Sequence, residues 1–301
     1  MLKIFPNRTE QFSSFFLLPF SLYFSFQLIH PSMINDRYKL IKRIGSGAFG
    51  LIFSARNVNT DEVVAVKLEP TAQTDTLTHE AAVLQHLSNI PGIPTLRYYG
   101  IPDHNRYMVI DLFDKTLQTV SYEHKKAVPV ALVRAYALQI MQILSTVHEK
   151  GFVHRDIKPE NFMTKCTTDD TLYLIDFGLA RTYINSETKA HRANRVRAAD
   201  ADGKISITGT SRYVSPNVHE GNEPSRRDDL ISAMYVVSYL LKGLLPWKKS
   251  ATNETLVEMK KKILPEELFL GLPPSYVEIF NHLSSLSYDQ KPDYAFILRN
   301  L

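Results

Sequence analysis

The apolar and polar positions divide the chain into two unequal parts. From Gln11 to Asn35 there is no Lys, Arg, Asp or Glu, and the centre, Phe12 through Ile29, is rich in Phe and Leu and broken by Pro19. Beyond it the pattern becomes that of a folded domain. Tyr38 to Ile44 alternates apolar and polar residues, which predicts a half-buried strand. Leu51 to Ala55 and Val63 to Val66 are β-rich runs separated by the turn cluster Asn57-Val58-Asn59-Thr60-Asp61. Leu77 to Leu87 sets Leu77, Ala81, Leu84 and Leu87 along one helical face, and Tyr107 to Leu112 reads as a buried strand. A second helical pattern runs through Ala137, Ile140, Met141, Leu144 and Val147, and Leu172 to Ile175 is a short strand. Strands with one principal helix, followed by a mostly helical remainder, predict an α+β fold, and 301 residues allow one large domain or two lobes.

Residues 1–35 stand apart from this pattern. The apolar run is long enough to cross a hydrocarbon core, which needs about 20 residues, although serines and glutamines dilute it. It is open to three readings: a gene-model artefact with Met33 as the start, a membrane anchor, or a cleaved secretory signal. Arg37, Lys39, Lys42 and Arg43 outweigh Lys3 and Arg8, so an anchor would leave the rest of the chain in the cytosol. Any membrane attachment is expected only through residues 11–30, and the soluble domain is expected to start near Asp36.

The chemistry-bearing residues fall at the ends of these elements. Gly45-Ser46-Gly47-Ala48-Phe49-Gly50 lies between two strands. A dinucleotide-binding glycine motif would instead open a helix. Glycines let a backbone approach phosphates, and Lys67, closing the run Val-Ala-Val-Lys, offers them a cation. Such a lysine needs a carboxylate to fix it, and Glu80 on the Leu77–Leu87 helix supplies one. The connector Asp111-Leu112-Phe113-Asp114 follows the buried strand.

Further along come His154-Arg155-Asp156-Ile157-Lys158-Pro159-Glu160-Asn161 and, after a short strand, Asp176-Phe177-Gly178. Phosphoryl transfer needs an acceptor for the substrate hydroxyl proton, oxygen ligands for Mg²⁺ and cations for developing charge. Asp156 fits the first need, Asn161 with Asp176 the second, and Lys158 with Lys67 the third. His154 is expected to be a packed histidine that supports the loop.

Composition narrows the alternatives. The formal net charge of +4 is mild and speaks against a nucleic-acid partner, which calls for dense basic stripes. The single cysteine, Cys166, excludes an internal disulfide and cysteine-based metal spacing, and favours a reducing compartment.

Taken in this order, the motifs resemble those of eukaryotic protein kinases. The later segments Gly209-Thr210-Ser211-Arg212-Tyr213, Ser215-Pro216-Asn217, Ser225-Arg226-Arg227-Asp228-Asp229-Leu230, Leu245-Pro246-Trp247 and Lys291-Pro292-Asp293-Tyr294 are similar to those of the casein kinase 1 family. So is Gly92-Ile93-Pro94. The resemblance implies the bilobal protein-kinase fold, with lobes 36–112 and 113–301 meeting at a hinge near Leu112 and Phe113, and transfer of the γ-phosphoryl group of Mg·ATP to protein Ser or Thr near acidic or already phosphorylated residues. The expected location is the cytoplasm or the nucleus. Nucleotide contacts would come from Ile44, Gly45, Ser46, Gly47, Gly50, Ile52, Ala65, Lys67, Asp111 and Leu112. Catalysis would rest on Asp156, Lys158, Lys67 and Glu80, and the metal on Asn161 and Asp176. Arg212 falls where the family places an anion-binding residue, and Asp229 where it places a carboxylate supporting the catalytic loop. The runner-up is a pseudokinase scaffold, whose usual mark is loss of the Lys or of either Asp. The stretch from Gly178 to Thr208 is longer than usual for the family and carries His191, Arg192, Arg195 and Arg197. It reads either as a solvated loop or as a platform for acidic substrates.

Overall fold

The computed structural model describes residues 33–47, 50–72, 75–102, 104–166, 169–201, 203–247 and 252–301. The apolar run 11–30, with its anchor, signal and artefact readings, lies outside them, as do Ala48 and Phe49 of the glycine loop.

The first lobe is an antiparallel sheet in the order β1-β2-β3-β4-β6-β5. Its strands are β1 (Met33–Ile34), β2 (Tyr38–Gly47), β3 (Gly50–Asn57), β4 (Val63–Pro70), β5 (Tyr98–Gly100) and β6 (Asn105–Asp111). Helix α1 (Thr76–His86) is inserted between β4 and β5. Because side chains alternate across a strand, the sheet has two apolar faces. Val64, Val66, Leu68, Tyr107 and Val109 pack with Ile34, Tyr38 and Ala55. Ala65, Met108 and Ile110 turn the other way, into the core shared with α1 and the second lobe. Ile34 is buried against the first of these faces. The packed sheet therefore reaches back at least to Met33, ahead of Asp36, where composition alone set the boundary.

The regular alternation expected from Tyr38 to Ile44 is broken twice. The β2–β3 register skips Ile41, between Leu40↔Ala55 and Lys42↔Ser54, and skips Ile44, between Arg43↔Phe53 and Gly45↔Ile52. Both skipped residues are exposed, at 51% and 44%. An extra residue in one strand leaves its side chain outside the ladder and bends the strand, so Ile44 stands beside the glycine loop instead of in the sheet core.

The second lobe is built around two buried helices. After β7 (Lys115–Thr116) and α2 (Leu117–Glu123), α3 (Val130–Glu149) buries Val133, Tyr136, Ala137, Ile140, Met141, Leu144 and Val147 along one side. That spacing makes a single apolar stripe. Strands β8 (Phe152–Val153), β9 (Phe162–Cys166), β10 (Asp169–Leu174) and β11 (Arg181–Thr182) follow, with β7 joining β9 and β11 joining β8. Next come α4 (Pro216–His219) and α5 (Arg226–Lys242), whose residues from Arg226 through Leu240 are all buried. A helix apolar on only part of its surface can be buried all round when its polar groups are paired, and α5 shows this from its first turn. Ser225 and Asp228 form a reciprocal capping box. The Arg227 guanidinium donates to the Leu286 carbonyl at 2.6 Å, and Arg226 to that of Asp289 at 2.6 Å. Helices α6 (Asn253–Lys262), α7 (Pro265–Leu268), α8 (Ser275–Ser285) and α9 (Tyr294–Asn300) close the lobe.

Candidate active site

The phosphate side of the cleft is set by β2, β3 and β4. Gly47 pairs with Gly50 at the end of the β2–β3 hairpin, and Ser46 with Leu51. A Cβ at Gly50 would lie 1.9 Å from the Leu68 carbonyl oxygen, so packing against β4 alone demands glycine there. At Gly45 a Cβ would meet nothing closer than Ile52 Cδ1, at 3.7 Å. Protein packing does not require that glycine, and open backbone at this point suits the close approach of a phosphate. Ser46 is exposed on the same hairpin, and Ile52 lies opposite both Gly45 and Lys67.

Lys67 and Ala65 share the face of β4 that looks toward α1 (residues i and i+2). The Lys67 ammonium donates to Glu80 Oε1 at 2.5 Å, with the carboxylate almost fully buried. Burial works to lower the Lys67 pKa, but the charges of Glu80 and Asp176 outweigh it and hold it above the ordinary lysine value. The lysine is thus a fixed cation that senses both carboxylates. On β6, Ile110 lies opposite Ala65 and Met108 opposite Lys67, so these two buried residues form the wall behind the lysine. Motif reading passed over both. Their apolar character carries no sign of a cleft position, which only the register reveals.

Asp111, expected among the nucleotide contacts, has its carboxylate turned away. It accepts the Thr95 N–H at 2.8 Å and the Arg97 guanidinium at 2.6 Å. Burial pushes its pKa up, but these donors outweigh burial and leave it below the usual carboxylate range. Asp111 can therefore offer an adenine only its backbone, as can Leu112, whose side chain packs on the core. Arg97 also forks onto Glu62 at 2.7 and 2.8 Å, tying the start of this connector to the β3–β4 turn.

The catalytic-loop side is held from below by Asp229 on α5. Its carboxylate accepts the backbone N–H groups of His154 at 2.7 Å and Arg155 at 2.9 Å, and His148 Nε2 lies 3.0 Å away. Burial opposes ionisation of Asp229, yet these donors keep its pKa depressed. Arg155 sits at φ 72°, a left-handed conformation that a branched-fork side chain adopts only when its surroundings impose it. Asp229 grips its N–H, while its guanidinium donates to Leu179 O at 2.6 Å and Glu223 Oε1 at 2.5 Å. His154 is fully buried, as expected. Its Nε2 lies 3.1 Å from Ile175 O, its Nδ1 accepts the Asp156 N–H at 3.3 Å, and it meets the Phe177 ring edge-on.

Asp156 is the centre of the polar cluster. Lys158 Nζ donates to its Oδ2 at 2.5 Å, Thr210 Oγ1 donates to its Oδ1 at 2.7 Å, and Asn161 Nδ2 donates to its backbone oxygen at 2.8 Å and to Oδ2 at 3.2 Å. Burial pushes the Asp156 pKa up, but Lys158 and Thr210 outweigh it and hold the group ionised below the ordinary carboxylate range. Thr210 is a member of the site that sequence reading did not single out, although its motif was noted. Gly209 permits its approach, because at φ 92° a Cβ there would lie 2.4 Å from the Arg155 carbonyl oxygen.

The Asn161 backbone oxygen accepts the Ile175 N–H at 2.9 Å, which sets Asn161 beside Asp176. Asp176 is itself left-handed, at φ 66°. With the Asn161 amide nitrogen spent on Asp156, an amide oxygen and a carboxylate remain as hard oxygen donors. Among the described residues no group of three or more His, Cys, Asp or Glu is placed to hold a metal ion. That donor set fits Mg²⁺, which commonly takes one or two carboxylates and completes its shell with water and phosphate oxygens.

The long segment after Gly178 is folded back on the lobe instead of extending into solvent along its whole length. Ile184 bridges to His191, Arg192 donates to Ile184 O at 3.3 Å, and Arg197 donates to Ser206 O at 3.0 Å. Arg155, Arg181 and Arg197 converge on Glu223 at 2.5, 3.1 and 3.5 Å, and Arg192 and Arg195 line the adjoining concavity. Arg212 lies apart from that group, its guanidinium 5.5 Å from the Tyr239 ring and 5.9 Å from that of Tyr213.

Comparison with known proteins agrees with this architecture. The family model for the protein kinase domain matches residues 38–287. Casein kinase I homolog 2 of Schizosaccharomyces pombe is 34% identical over 276 residues, covering 88% of this chain and 62% of that protein. Casein kinase I homolog 3 of the same yeast is 33% identical over 278 residues, covering 89% of this chain and again 62% of the relative. The chain thus spans less than two thirds of the length of these curated relatives. With the glycine hairpin, the Lys67–Glu80 pair and the loop around Asp156 in their places, the chain belongs to the protein kinase family, and it is similar over most of its length to the two yeast casein kinase I homologs.

Proposed function

We propose that this chain is a protein Ser/Thr kinase that transfers the γ-phosphoryl group of Mg·ATP to protein substrates at acidic or already phosphorylated sites. The observation that carries the reading is the state of Asp156. It is ionised, held by Lys158, Thr210 and Asn161, and sits across the cleft from a lysine whose charge is fixed by Glu80 and Asp176. A pseudokinase scaffold would not need to retain both halves of this arrangement.

In this reading the Asp156 carboxylate accepts the proton of the substrate hydroxyl, with Thr210 and Lys158 fixing its orientation. Lys158 and Lys67 stand where negative charge develops on the transferring group and on the nucleotide phosphates. Glu80 keeps Lys67 from swinging into solvent. Gly45, Ser46, Gly47 and Gly50 bring backbone toward the phosphates, and Ile44, Ile52 and Ala65 face the base. Asn161 and Asp176 would hold a magnesium ion, which would neutralise part of the phosphate charge. Arg212, outside this core, is the candidate contact for a substrate carboxylate or phosphate. The concavity lined by Arg192 and Arg195 is a second basic surface facing protein partners. Arg155 and Arg181, which also line it, are already partly neutralised by Glu223, so it is the weaker of the two. A cytoplasmic or nuclear location is proposed with the same reading.

Phosphate transfer from labelled Mg·ATP to casein and to a primed acidic peptide tests this directly, using the wild type, Asp156→Asn and Lys67→Met. Transfer by the wild type that is lost in both variants is the expected result. A folded, ATP-binding wild type that transfers nothing would turn the reading toward the scaffold.

A further inference from the structure

Lys260 is a buried cation that none of the roles above uses. Helix α6 is short and polar, and its last turn carries Lys260, Lys261 and Lys262. Lys261 and Lys262 pair with Glu220 and Glu258 at the surface. Lys260 turns inward and is only 4% exposed. Among the described residues no carboxylate pairs with it. Its ammonium instead donates to the carbonyl oxygens of Ser211 and Val214, both at 2.7 Å, and lies 3.0 Å from His219 Nε2. It also stands over the rings of Trp247, at 5.2 Å, and Tyr235, at 5.5 Å.

Burying a cation without a counter-ion is costly, and cation–π contacts with two aromatic faces offset part of that cost. An apolar residue would fill the same space at less expense, but it would leave the carbonyls of Ser211 and Val214 without these donors. Those carbonyls belong to the loop whose first residue, Thr210, reaches Asp156. The carbonyl between them, that of Arg212, accepts the Trp247 Nε1–H at 2.8 Å. Three backbone acceptors of one short loop are therefore fixed from beneath by Lys260 and Trp247.

We propose that Lys260 is a positioning residue for protein-substrate engagement, holding the Thr210–Val214 loop so that Thr210 meets Asp156 while Arg212 presents its guanidinium on the substrate side. The inference rests on the phosphotransfer reading for its kinetic consequence, but the anchoring itself is measurable without activity.

The test compares the full chain with Lys260→Met and Lys260→Gln, the latter keeping an N–H donor of similar reach. For Lys260→Met the Michaelis constant for a primed acidic peptide is expected to rise about tenfold, while that for ATP stays within about twofold. Lys260→Gln is expected to fall between it and the wild type. Amide hydrogen exchange should accelerate in residues 209–219 and remain unchanged in 63–70 and 105–111. A parallel decline in ATP and peptide parameters, or unchanged peptide kinetics with unchanged exchange in 209–219, would overturn the proposal. Where Lys260→Met does not fold, the Gln variant decides alone, by whether its peptide constant rises without the ATP constant. If the wild type proves inert but the variants still loosen 209–219 selectively, the phosphotransfer reading fails and the anchoring role stands.

Discussion

The carboxylate of Glu69, near the end of β4, accepts the backbone N–H of Leu77 at 3.0 Å in the first turn of α1. Its other oxygen accepts the Thr76 hydroxyl at 2.5 Å and the Thr76 N–H at 3.3 Å. The helix has no side-chain cap of its own at Asp75, so a strand residue two positions beyond Lys67 caps it instead. This sets the axial position of α1 relative to β4, and with it the reach of Glu80 to Lys67. Glu69 is 1% exposed. Glu69→Ala would leave buried N–H donors without an acceptor and is expected to cost about 2 kcal/mol. Urea unfolding measures the cost. The same variant should raise the Michaelis constant for ATP more than that for peptide, because the displaced partner is on the nucleotide side.

Asp156→Asn keeps the shape of the site and removes its charge. The expected outcome is a fall in kcat of about 10²–10⁴-fold with little change in ATP affinity, read by steady-state kinetics beside a nucleotide-binding titration. The sign of the pH effect follows from its depressed pKa. Ionised Asp156 contributes stability that is fully present above the ordinary carboxylate pKa of 3.8 and is lost as pH falls through the lower folded value. An acid limb of activity near neutral pH would therefore belong to another group.

Glu223 gathers Arg155, Arg181 and Arg197. Burial, ahead of the neighbouring guanidiniums, lowers the Arg155 pKa, which marks how poorly solvated that cation is. Glu223→Gln leaves three cations facing each other and is expected to lower the unfolding free energy by about 1–3 kcal/mol. The loss should be larger in low salt than in high salt, since salt screens the remaining repulsion. Urea titrations at the two ionic strengths provide the check.

Burial holds the Lys260 ammonium down to about 7 from an ordinary 10.5. The groups facing it are His219 from α4, Tyr235 from α5 and Trp247, and burial and the Lys260 charge lower His219 itself to about 4. Between the folded and unfolded pKa values of Lys260 the unfolded chain binds the extra proton, so stability rises with pH across that window and protonation costs most below it. The stability of Lys260→Met relative to wild type is expected to be most favourable near about pH 6 and to fall by a few kcal/mol toward about pH 9. Thermal or urea unfolding of both proteins across that range measures it. A difference independent of pH would mean that Lys260 titrates outside the window.

Much of this was legible in the order of residues. Alternation and helical spacing are local properties, and Leu77–Leu87, Tyr107–Leu112 and the stripe through Ala137–Val147 all became the elements that their periods required. The glycine hairpin, the lysine closing β4 and the segments around Asp156 and Asp176 could be read because each is contiguous. Pairing Lys67 with Glu80 needed only a helix with one polar position facing a strand. The start of the sheet was less legible, because Met33 and Ile34 look like the tail of an apolar run until β2 pairs with them.

What tertiary structure alone decided are the relations between residues far apart in the chain. Two bulges put Ile41 and Ile44 outside the ladder, and no alternation pattern announces a bulge. Asp111 keeps the identity that suggested a nucleotide contact, yet Thr95 and Arg97 claim its carboxylate. Thr210 reaches Asp156, three arginines meet at Glu223, and Lys260 finds Ser211 and Val214 across some tens of residues. Periodicity assigns a residue to a face, but a buried polar group is satisfied by whichever donor the packing of whole elements brings within about 3 Å. That choice is made in three dimensions, and it turns a row of familiar motifs into one site.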